Sequence, residues 1–401
     1  MRSAGREALS LALMDARNQT LHLLGQFELA LAARRCAVPQ QDGLELPLWL
    51  AGHIGWFAEA WTSRNTQRAL GAHCGTAPMR LPSVEPQADR WWDPALAPHA
   101  ARWSLDLPSA EAVRGYLLQT LEGTLELLER APETDAGLYA FRLVLYHEDL
   151  RGEQWLTMAQ TLGLPLQPAL PGGMRQREPL ALPAQRWRLG AAAEAGFAPD
   201  HEVAAHEVAV PAFEIDAQPV GWAQFVEFVD DGGYDRSELW HPEGWAWLQK
   251  LAAGEGRRGP RYVEQIGVAS GAVLQLRFGR ATRMAGNQPA THLSWWEADA
   301  WARWAGRRLP AEVEWEVAAV QAARRGFHWG DVHEWTAGTL QPWPGYRAGP
   351  WAAQSEPFFG RARVLRGASS ATRSRLKHPK FRGFALPACD DIFVGFRTCA
   401  I

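Results

Sequence analysis

The segment VLYHEDLRGEQW, residues 144 to 155, places two chemically active side chains one helical turn apart. His147 and Arg151 are separated by four residues, so on a helix they lie on the same face. A histidine at position 151 would give an H-x-x-x-H pair, which commonly offers two imidazoles to one divalent metal ion. Arginine keeps its proton and cannot coordinate a metal. The segment therefore indicates a metal site in which one ligand has been replaced by a cation.

His53, in the segment PLWLAGHIGWFAEAW, is the second candidate metal ligand. At helical spacing Trp49, His53 and Trp56 share one face, so this histidine points with the apolar residues. A lone histidine on such a face is most often a buried, hydrogen-bonded structural residue. Two helices of one bundle that each present an inward histidine favour a shared site. We therefore predict that His53 and His147 bind a metal together, with the structural role as the alternative.

Two alternatives remain open for the replaced ligand. In the first, a donor from the long loop 74 to 107, such as His99 or Asp93, completes the metal site. In the second, Arg151 forms an ion pair with a nearby acid and keeps the bundle closed without a metal. The acids considered for this pair are Glu59, Glu148 and Glu153.

Four helical segments must position these side chains. Apolar residues recur at helical spacing in ALSLALMDARNQTLHLLGQFELAL, LWLAGHIGWFAEAWTSRN, AEAVRGYLLQTLEGTLELLER and GLYAFRLVLYHEDLRGEQWLTMAQTLG. The third segment follows LPSAEA, in which a serine is a plausible helix cap. The pattern predicts an N-terminal four-helix bundle whose core can hold a site built from facing helices.

The remainder of the chain has a different texture. Residues 165 to 189 are dense in Pro and Gly and indicate a linker. Beyond them, short alternating segments such as HEVAVPAFEIDAQPV and AVLQLRFG lie among two short helices and many turns. We predict a multi-domain protein of the α and α+β classes, with a helical domain at 1–164, a linker at 165–189 and an α+β domain at 190–401.

Composition excludes several classes of partner. The chain has 401 residues and a formal net charge of −3, which does not suggest nucleic acid or an anionic membrane surface. No run reaches the roughly 18 apolar residues that a membrane span needs, and the N-terminal residues predict an amphipathic helix and not a signal peptide. The four cysteines are scattered without a C-x-x-C motif. We therefore predict a cytoplasmic location, no structural zinc, and neither nucleic acid nor membrane as a partner.

Several motifs, taken in order, resemble the ergothioneine sulfoxide synthase family. They are GHIGWF, HEDLRGE, HLSWWEADAWARWAGRRLPAEVEWEVAA, WGDVHEWT, PWPGY and DDIFVGFRT. The resemblance runs along nearly the whole chain, and within the family WTSRNTQRALG and DDIFVGFRTC look most similar to the selenoneine synthase branch. It implies a DinB-like bundle joined to an α+β domain of the formylglycine-generating-enzyme or C-type-lectin type.

The same resemblance implies a function. Family members are non-haem iron enzymes whose three histidine ligands match His53, His147 and the position of Arg151, with Glu153 close by. The implied reaction is O2-dependent carbon–selenium or carbon–sulfur bond formation between a selenosugar or thiol donor and hercynine, the trimethylated betaine of histidine. Because the third of these ligands is replaced by Arg151, Fe(II) binding is expected to be much weaker. The alternative is a metal-free betaine-binding or scaffold homologue that has lost activity through Arg151.

The resemblance also implies where the substrates bind. Thiol-using relatives carry Asn, Asp and Arg where this chain has Gly383, Ala385 and Cys389. Losing the last two charges fits a sugar donor, which lacks the amino and carboxylate groups that they would hold. Tyr346 in PWPGY is the candidate catalytic hydroxyl. The candidate substrate-binding residues are Trp343, Arg382, Phe384, Asp391 and Arg397.

Two further interpretations concern the C-terminal half. Arg397 with the DDIF segment could equally form a buried, salt-bridged turn without touching a substrate. An ordinary formylglycine-generating oxidase is disfavoured, because that chemistry uses a pair of cysteines and only Cys389 and Cys399 lie in this half.

Overall fold

The computed structural model describes residues 1–166, 168, 171–192, 196–267 and 272–401. The chain forms two compact units, and each is described by itself. The first comprises Met1–Leu166, Ala192–Asp200 and Arg347–Gln354, and the second Gln167–Ala191, His201–Tyr346 and Ser355–Ile401. Within the described ranges, no helix has the length and apolar character needed to cross a bilayer.

The first unit is helical. Its helices are α1 (Arg6–Arg34), α2 (Pro47–Trp61), α3 (Ala88–Trp92), α4 (Ala110–Arg130) and α5 (Asp135–Thr161). Helix α1 packs against α5 and α4, and α2 packs against α4, α5 and α3. The four long helices coincide with the four predicted segments, so the helical character of the N-terminal half is confirmed.

Local capping explains where these helices begin. Ser109 Oγ accepts a hydrogen bond from the Ala112 amide at 3.2 Å, which confirms the predicted serine cap of α4. Thr134 caps α5 in the same way, through the Gly137 amide at 3.1 Å. Each cap satisfies a backbone donor that the first helical turn leaves unpaired.

Two glycines allow close packing on α2. A Cβ atom at Gly52 would lie 2.0 Å from Cε2 of Trp92, and one at Gly55 would lie 3.1 Å from Cε1 of Tyr116. A side chain at Gly52 would therefore overlap the indole ring. The absence of a side chain at position 52 lets α3 and its Trp92 approach the helix that carries His53.

The second unit combines strands and helices. Its strands are β1 (Leu180–Leu182), β2 (Gln185–Leu189), β3 (His206–Val210), β4 (Phe213–Ile215), β5 (Val263–Gly267), β6 (Ala272–Arg277), β7 (Arg280–Met284), β8 (His333–Thr339), β9 (Arg363–Gly367), β10 (Arg382–Ala385) and β11 (Val394–Phe396). The largest described sheet has the order β10-β9-β8-β11, in which β11 runs parallel to β8 and the other pairs are antiparallel. The strands β5-β6-β7 form an antiparallel sheet, and β1-β4 and β2-β3 form two-stranded ones.

Four helices complete the second unit: α6 (Trp222–Asp230), α7 (Pro242–Glu255), α8 (Trp295–Trp304) and α9 (Glu312–Gln321). Its largest described hydrophobic cluster contains many indole rings, among them Trp222, Trp295, Trp301 and Trp335. These rings fill the space between short elements, which accounts for part of the high tryptophan content. The mixed α and β character predicted for this half is confirmed.

Candidate functional site

His53 on α2 and His147 on α5 meet inside the first unit. Their ring centroids are 5.1 Å apart and the rings are edge-to-face at 73°. Both side chains are buried, with exposed fractions of 4% and 1%. The structure therefore brings together the two histidines that the sequence singled out, although they lie 94 residues apart in the chain.

His53 is held in one orientation by the backbone of α3. Its Nδ1 lies 2.9 Å from the carbonyl oxygen of Trp92, which only accepts hydrogen bonds, so Nδ1 carries the proton and Nε2 keeps a free lone pair. The Trp49 ring stacks on the imidazole at 4.9 Å. Burial, followed by the charge of Arg151, lowers the pKa of His53 to about 3. The imidazole is therefore neutral, with one nitrogen available as a ligand or a base.

His147 is differently engaged. Its Nε2 accepts a hydrogen bond from Nε of Arg151 at 3.2 Å. Because a guanidinium only donates, the proton of the neutral ring lies on Nδ1, which is buried and has no hydrogen-bond partner in the described part of the chain. Phe57 stacks on the ring at 3.8 Å, and Trp351 contacts its edge at 5.5 Å. Burial and then Arg151 hold the pKa of His147 well below its usual value.

Arg151 is a cation without an ion-pair partner among the described residues. Its Nη1 donates to Oε1 of Gln154 at 2.9 Å, and its Nε to His147. Burial lowers its pKa to about 10, which leaves the guanidinium charged at neutral pH. The ion pair anticipated with a nearby glutamate is not formed.

Two of the glutamates considered as partners of Arg151 are already bound to other residues. Glu148 pairs with Arg17 at 2.9 Å and accepts from Thr20 at 2.7 Å. Glu59 accepts from the Tyr116 hydroxyl at 2.7 Å and from two donors of the loop after α2. Because these carboxylates already have partners elsewhere in the bundle, Arg151 donates its hydrogen bond to the His147 imidazole instead.

A three-ligand iron site does not fit these residues. Arg151 cannot coordinate, and its hydrogen bond to Nε2 occupies the one lone pair that the neutral His147 ring can offer a metal. Across the ranges that the structure covers, no group of three or more His, Cys, Asp or Glu side chains could hold a metal ion. The loop candidates make local contacts of their own: His99 bonds to the Leu44 carbonyl and one oxygen of Asp93 accepts from the Ala95 amide, each at 2.9 Å.

In the second unit, Trp343 and Arg382 are in contact. The guanidinium lies 4.2 Å from the centre of the Trp343 ring. Glu312 accepts from both residues, from Nε of Arg382 at 2.8 Å and from Nε1 of Trp343 at 3.2 Å. Gly190, with φ of +92°, lies so close that a Cβ there would be 2.4 Å from Cζ3 of the indole. Arg382 is therefore neutralised by Glu312, and it positions Trp343.

The remaining predicted residues of this unit are placed separately. Phe384 lies half-buried on β10, 5.2 Å from Phe358 between ring centroids. The Tyr346 hydroxyl donates to Oε1 of Glu356 at 3.2 Å.

Asp391 and Arg397 have partners of their own. Asp391 accepts from the Cys389 thiol at 3.1 Å, and burial raises the pKa of that thiol well above its usual value. Arg397 is fully buried and donates through Nε and Nη2 to Glu334, at 2.5 and 2.7 Å. Its surroundings match the salt-bridged interpretation, with Glu334 in place of the acids of the DDIF segment.

The Trp92 carbonyl is a site feature that the sequence did not identify. A backbone carbonyl carries no residue signature, so the motif that contains Trp92 gives no reason to place it beside His53. The only sequence signal is indirect: Gly52, next to His53, leaves the space that the indole ring fills.

Comparison with known proteins extends over both halves. Residues 171–331 match the sulfatase-modifying factor enzyme 1-like domain family. The chain is 32% identical to a hercynine oxygenase from Mycolicibacterium smegmatis over 98% of each chain, and 32% identical to a formylglycine-generating enzyme from Streptomyces coelicolor over 39% of this chain and 51% of the relative. The solved structure of PvdO from Pseudomonas aeruginosa matches 58% of this chain with 16% identity and a TM-score of 0.34.

Proposed function

Because the chain belongs to the hercynine oxygenase family and is thereby an oxidoreductase, we propose that it catalyses an O2-dependent modification of hercynine. The similarity covers both halves, so the bundle and the α+β domain are retained together. The observation that carries the proposal is the meeting of His53 and His147 in the bundle. We also propose that the helical bundle of the first unit is of the DinB type. For the whole protein we propose a cytoplasmic location, in which its four free cysteines stay reduced.

The finer proposal concerns the bond that is made. An imidazole C–H bond of hercynine and the S–H or Se–H bond of the donor break, and a carbon–sulfur or carbon–selenium bond forms. When the product is a sulfoxide or selenoxide, one atom of O2 remains on the chalcogen and the other leaves as water with the two hydrogens. Atoms and electrons then balance without another reductant.

The donor is proposed to be a selenosugar or a related thiol. Cys389 stands where the resemblance puts a cation that would hold an amino-acid donor, and its buried thiol donates to Asp391. A raised thiol pKa keeps this group neutral. A neutral thiol cannot clamp a carboxylate as an arginine does, which favours a sugar donor.

The cofactor implied by the resemblance is Fe(II), which would activate O2 when bound. The described ligand set does not fit a three-histidine iron site, so we assign no step to it. In the first unit the chain supplies a neutral His53 with an open Nε2 and a His147 whose Nε2 is engaged by Arg151. In the second unit, considered by itself, Tyr346 is our proposed proton donor.

Product formation tests the proposal. Purified protein is incubated aerobically with Fe(II), hercynine and one donor at a time: a selenosugar, a thiosugar, cysteine or γ-glutamylcysteine. Mass spectrometry should detect a hercynine–chalcogen adduct, and Arg151→His should form it faster. If the wild type forms no hercynine-dependent product with any donor, the proposed activity of this chain is overturned, even if Arg151→His is active.

A second candidate function is binding of the betaine without oxidation. The hydrogen bond from Arg151 to His147 favours it, because that bond occupies a nitrogen required for metal binding. Calorimetry with hercynine in the presence of a chelator should show heat of binding. No heat would remove this candidate.

A further inference from the structure

We infer that Arg151 binds the carboxylate of a betaine. Position 151 is where the family resemblance places a metal ligand. The inference deepens the proposed function and rests on it for the identity of hercynine. It assigns Arg151 a recognition role in this chain, so the replaced ligand is a specificity determinant and not only a loss.

The charge at the centre supports an anionic group. The guanidinium of Arg151 is protonated at neutral pH, and no described carboxylate lies within ion-pair distance of it. Glu45, the acid whose charge acts on it most, is bound to Arg102. A half-buried cation with no described acid in ion-pair contact stabilises an anion that enters beside it.

The guanidinium also has donors to offer. Nε is used by His147 and Nη1 by Gln154, whereas Nη2 makes no hydrogen bond to a described residue. Nη2 is not fully buried, because the Arg151 side chain is only half-buried. A carboxylate can therefore reach the Nη edge and accept two parallel hydrogen bonds.

An aromatic ring next to the same histidine can take the cationic end. One face of Trp49 is covered by His53 and Arg102 lies 3.4 Å from its ring centre, while Phe57 stacks on His147. Trp351 makes edge-to-face contacts with His147, Phe57 and Tyr146, at 5.5, 5.6 and 6.2 Å between ring centroids, and is half-buried. Among the described residues no ring stacks on Trp351, so the exposed part of its indole can contact a trimethylammonium group.

An α-betaine carries its two charged groups close together. One carbon atom separates the quaternary nitrogen from the carboxylate in such a molecule. Arg151 and Trp351 both contact His147, so one small zwitterion beside that ring can reach both of them. A ligand with only one of the two charges would satisfy half of the site.

The test compares removal of the ligand carboxylate with removal of the Arg151 charge, separately and together. Calorimetry in the presence of EDTA measures hercynine and glycine betaine, each against its methyl ester, with the full-length wild type, Arg151→Gln and Arg130→Gln. Arg130 is an exposed arginine of α4 and serves as the matched control. Wild type and Arg130→Gln should bind each acid about tenfold more tightly than its ester, whereas Arg151→Gln should bind acid and ester alike.

Two further variants keep the result interpretable. Arg151→Lys retains a charge without the fork, and should show an intermediate preference. Trp351→Leu should weaken acid and ester by the same factor, so the preference persists. The inference is overturned if the wild type does not prefer the acids, if Arg151→Gln keeps the preference, or if neither betaine binds. Because no turnover is measured and glycine betaine lacks the imidazole, failure of the oxygenase proposal alone would leave this preference in place.

Discussion

At the scale of single residues, the site is set by which polar partner each side chain finds. His53 finds a backbone carbonyl, Glu148 finds Arg17, and Arg151 is left with an imidazole and an amide. Arg151 therefore bonds to His147 and not to Glu148, because Glu148 is held by Arg17 in a buried ion pair. That ion pair should be important for stability, because a buried charge is costly once its partner is removed.

We expect Arg17→Met to lower the free energy of unfolding of the first unit by about 3–5 kcal/mol, since it leaves the Glu148 carboxylate buried without its cation. Arg114→Met removes a partly exposed pair with Glu28 and should cost about 0–1 kcal/mol. Urea unfolding followed by circular dichroism measures both variants. Equal losses for the two would contradict the account of the buried pair.

At the scale of elements, the sequence predicted much of what the structure shows. Apolar spacing and Ser109 located the four long helices, because an amphipathic stripe and a cap are local signals. The meeting of His53 and His147 followed from placing both on inward faces of one bundle. The partner of Arg151 could not be predicted, since it depends on a contact between α1 and α5 across 131 residues.

Helix α2 provides a test of packing. Gly52→Ala should destabilise the protein by about 1–3 kcal/mol, because the new methyl group overlaps the Trp92 ring and displaces the carbonyl that holds His53. Gly115→Ala on α4 meets no atom within 4 Å and should instead stabilise by about 0.5–1 kcal/mol. Thermal unfolding compares the two. A stable Gly52→Ala protein would show that this close approach is not required.

The start of α8 predicts a pH dependence. Glu297 caps the helix through Ser294, accepts from the Tyr234 hydroxyl at 2.5 Å, and has its pKa raised to about 7 from 4.5 by burial. Between these two values the folded state holds a proton that the unfolded state has released, so stability is full below pH 4.5 and falls as the pH rises to about 7.

Over that window the loss attributable to Glu297 should be about 3 kcal/mol, at about 1.4 kcal/mol per pH unit. Glu297→Gln preserves the shape of the cap and cannot titrate. Between pH 4.5 and 7 the wild type should therefore lose unfolding free energy relative to Glu297→Gln. Denaturant titrations at four pH values measure this difference. A difference that does not change with pH would mean that Glu297 is ionised throughout.

At the scale of the whole molecule, membership of the hercynine oxygenase family and the ligand set point in different directions. The similarity covers 98% of the chain and of a relative, yet the bundle presents two histidines and an arginine. Whole-chain similarity reports on the fold and the chemical class, whereas a single guanidinium decides whether a metal can be held. The sequence revealed this conflict because Arg151 occupies a ligand position within a recognisable motif, and the structure adds that its Nε engages His147.

The most direct measurement is anaerobic Fe(II) binding, with iron per chain determined by mass spectrometry for the wild type, Arg151→His and the double variant Arg151→His with His147→Ala. The account predicts about one tightly held iron in Arg151→His, and affinity at least tenfold weaker in the wild type and in the double variant. If the wild type holds one iron as tightly as Arg151→His, another group completes the site and the role assigned to Arg151 is wrong.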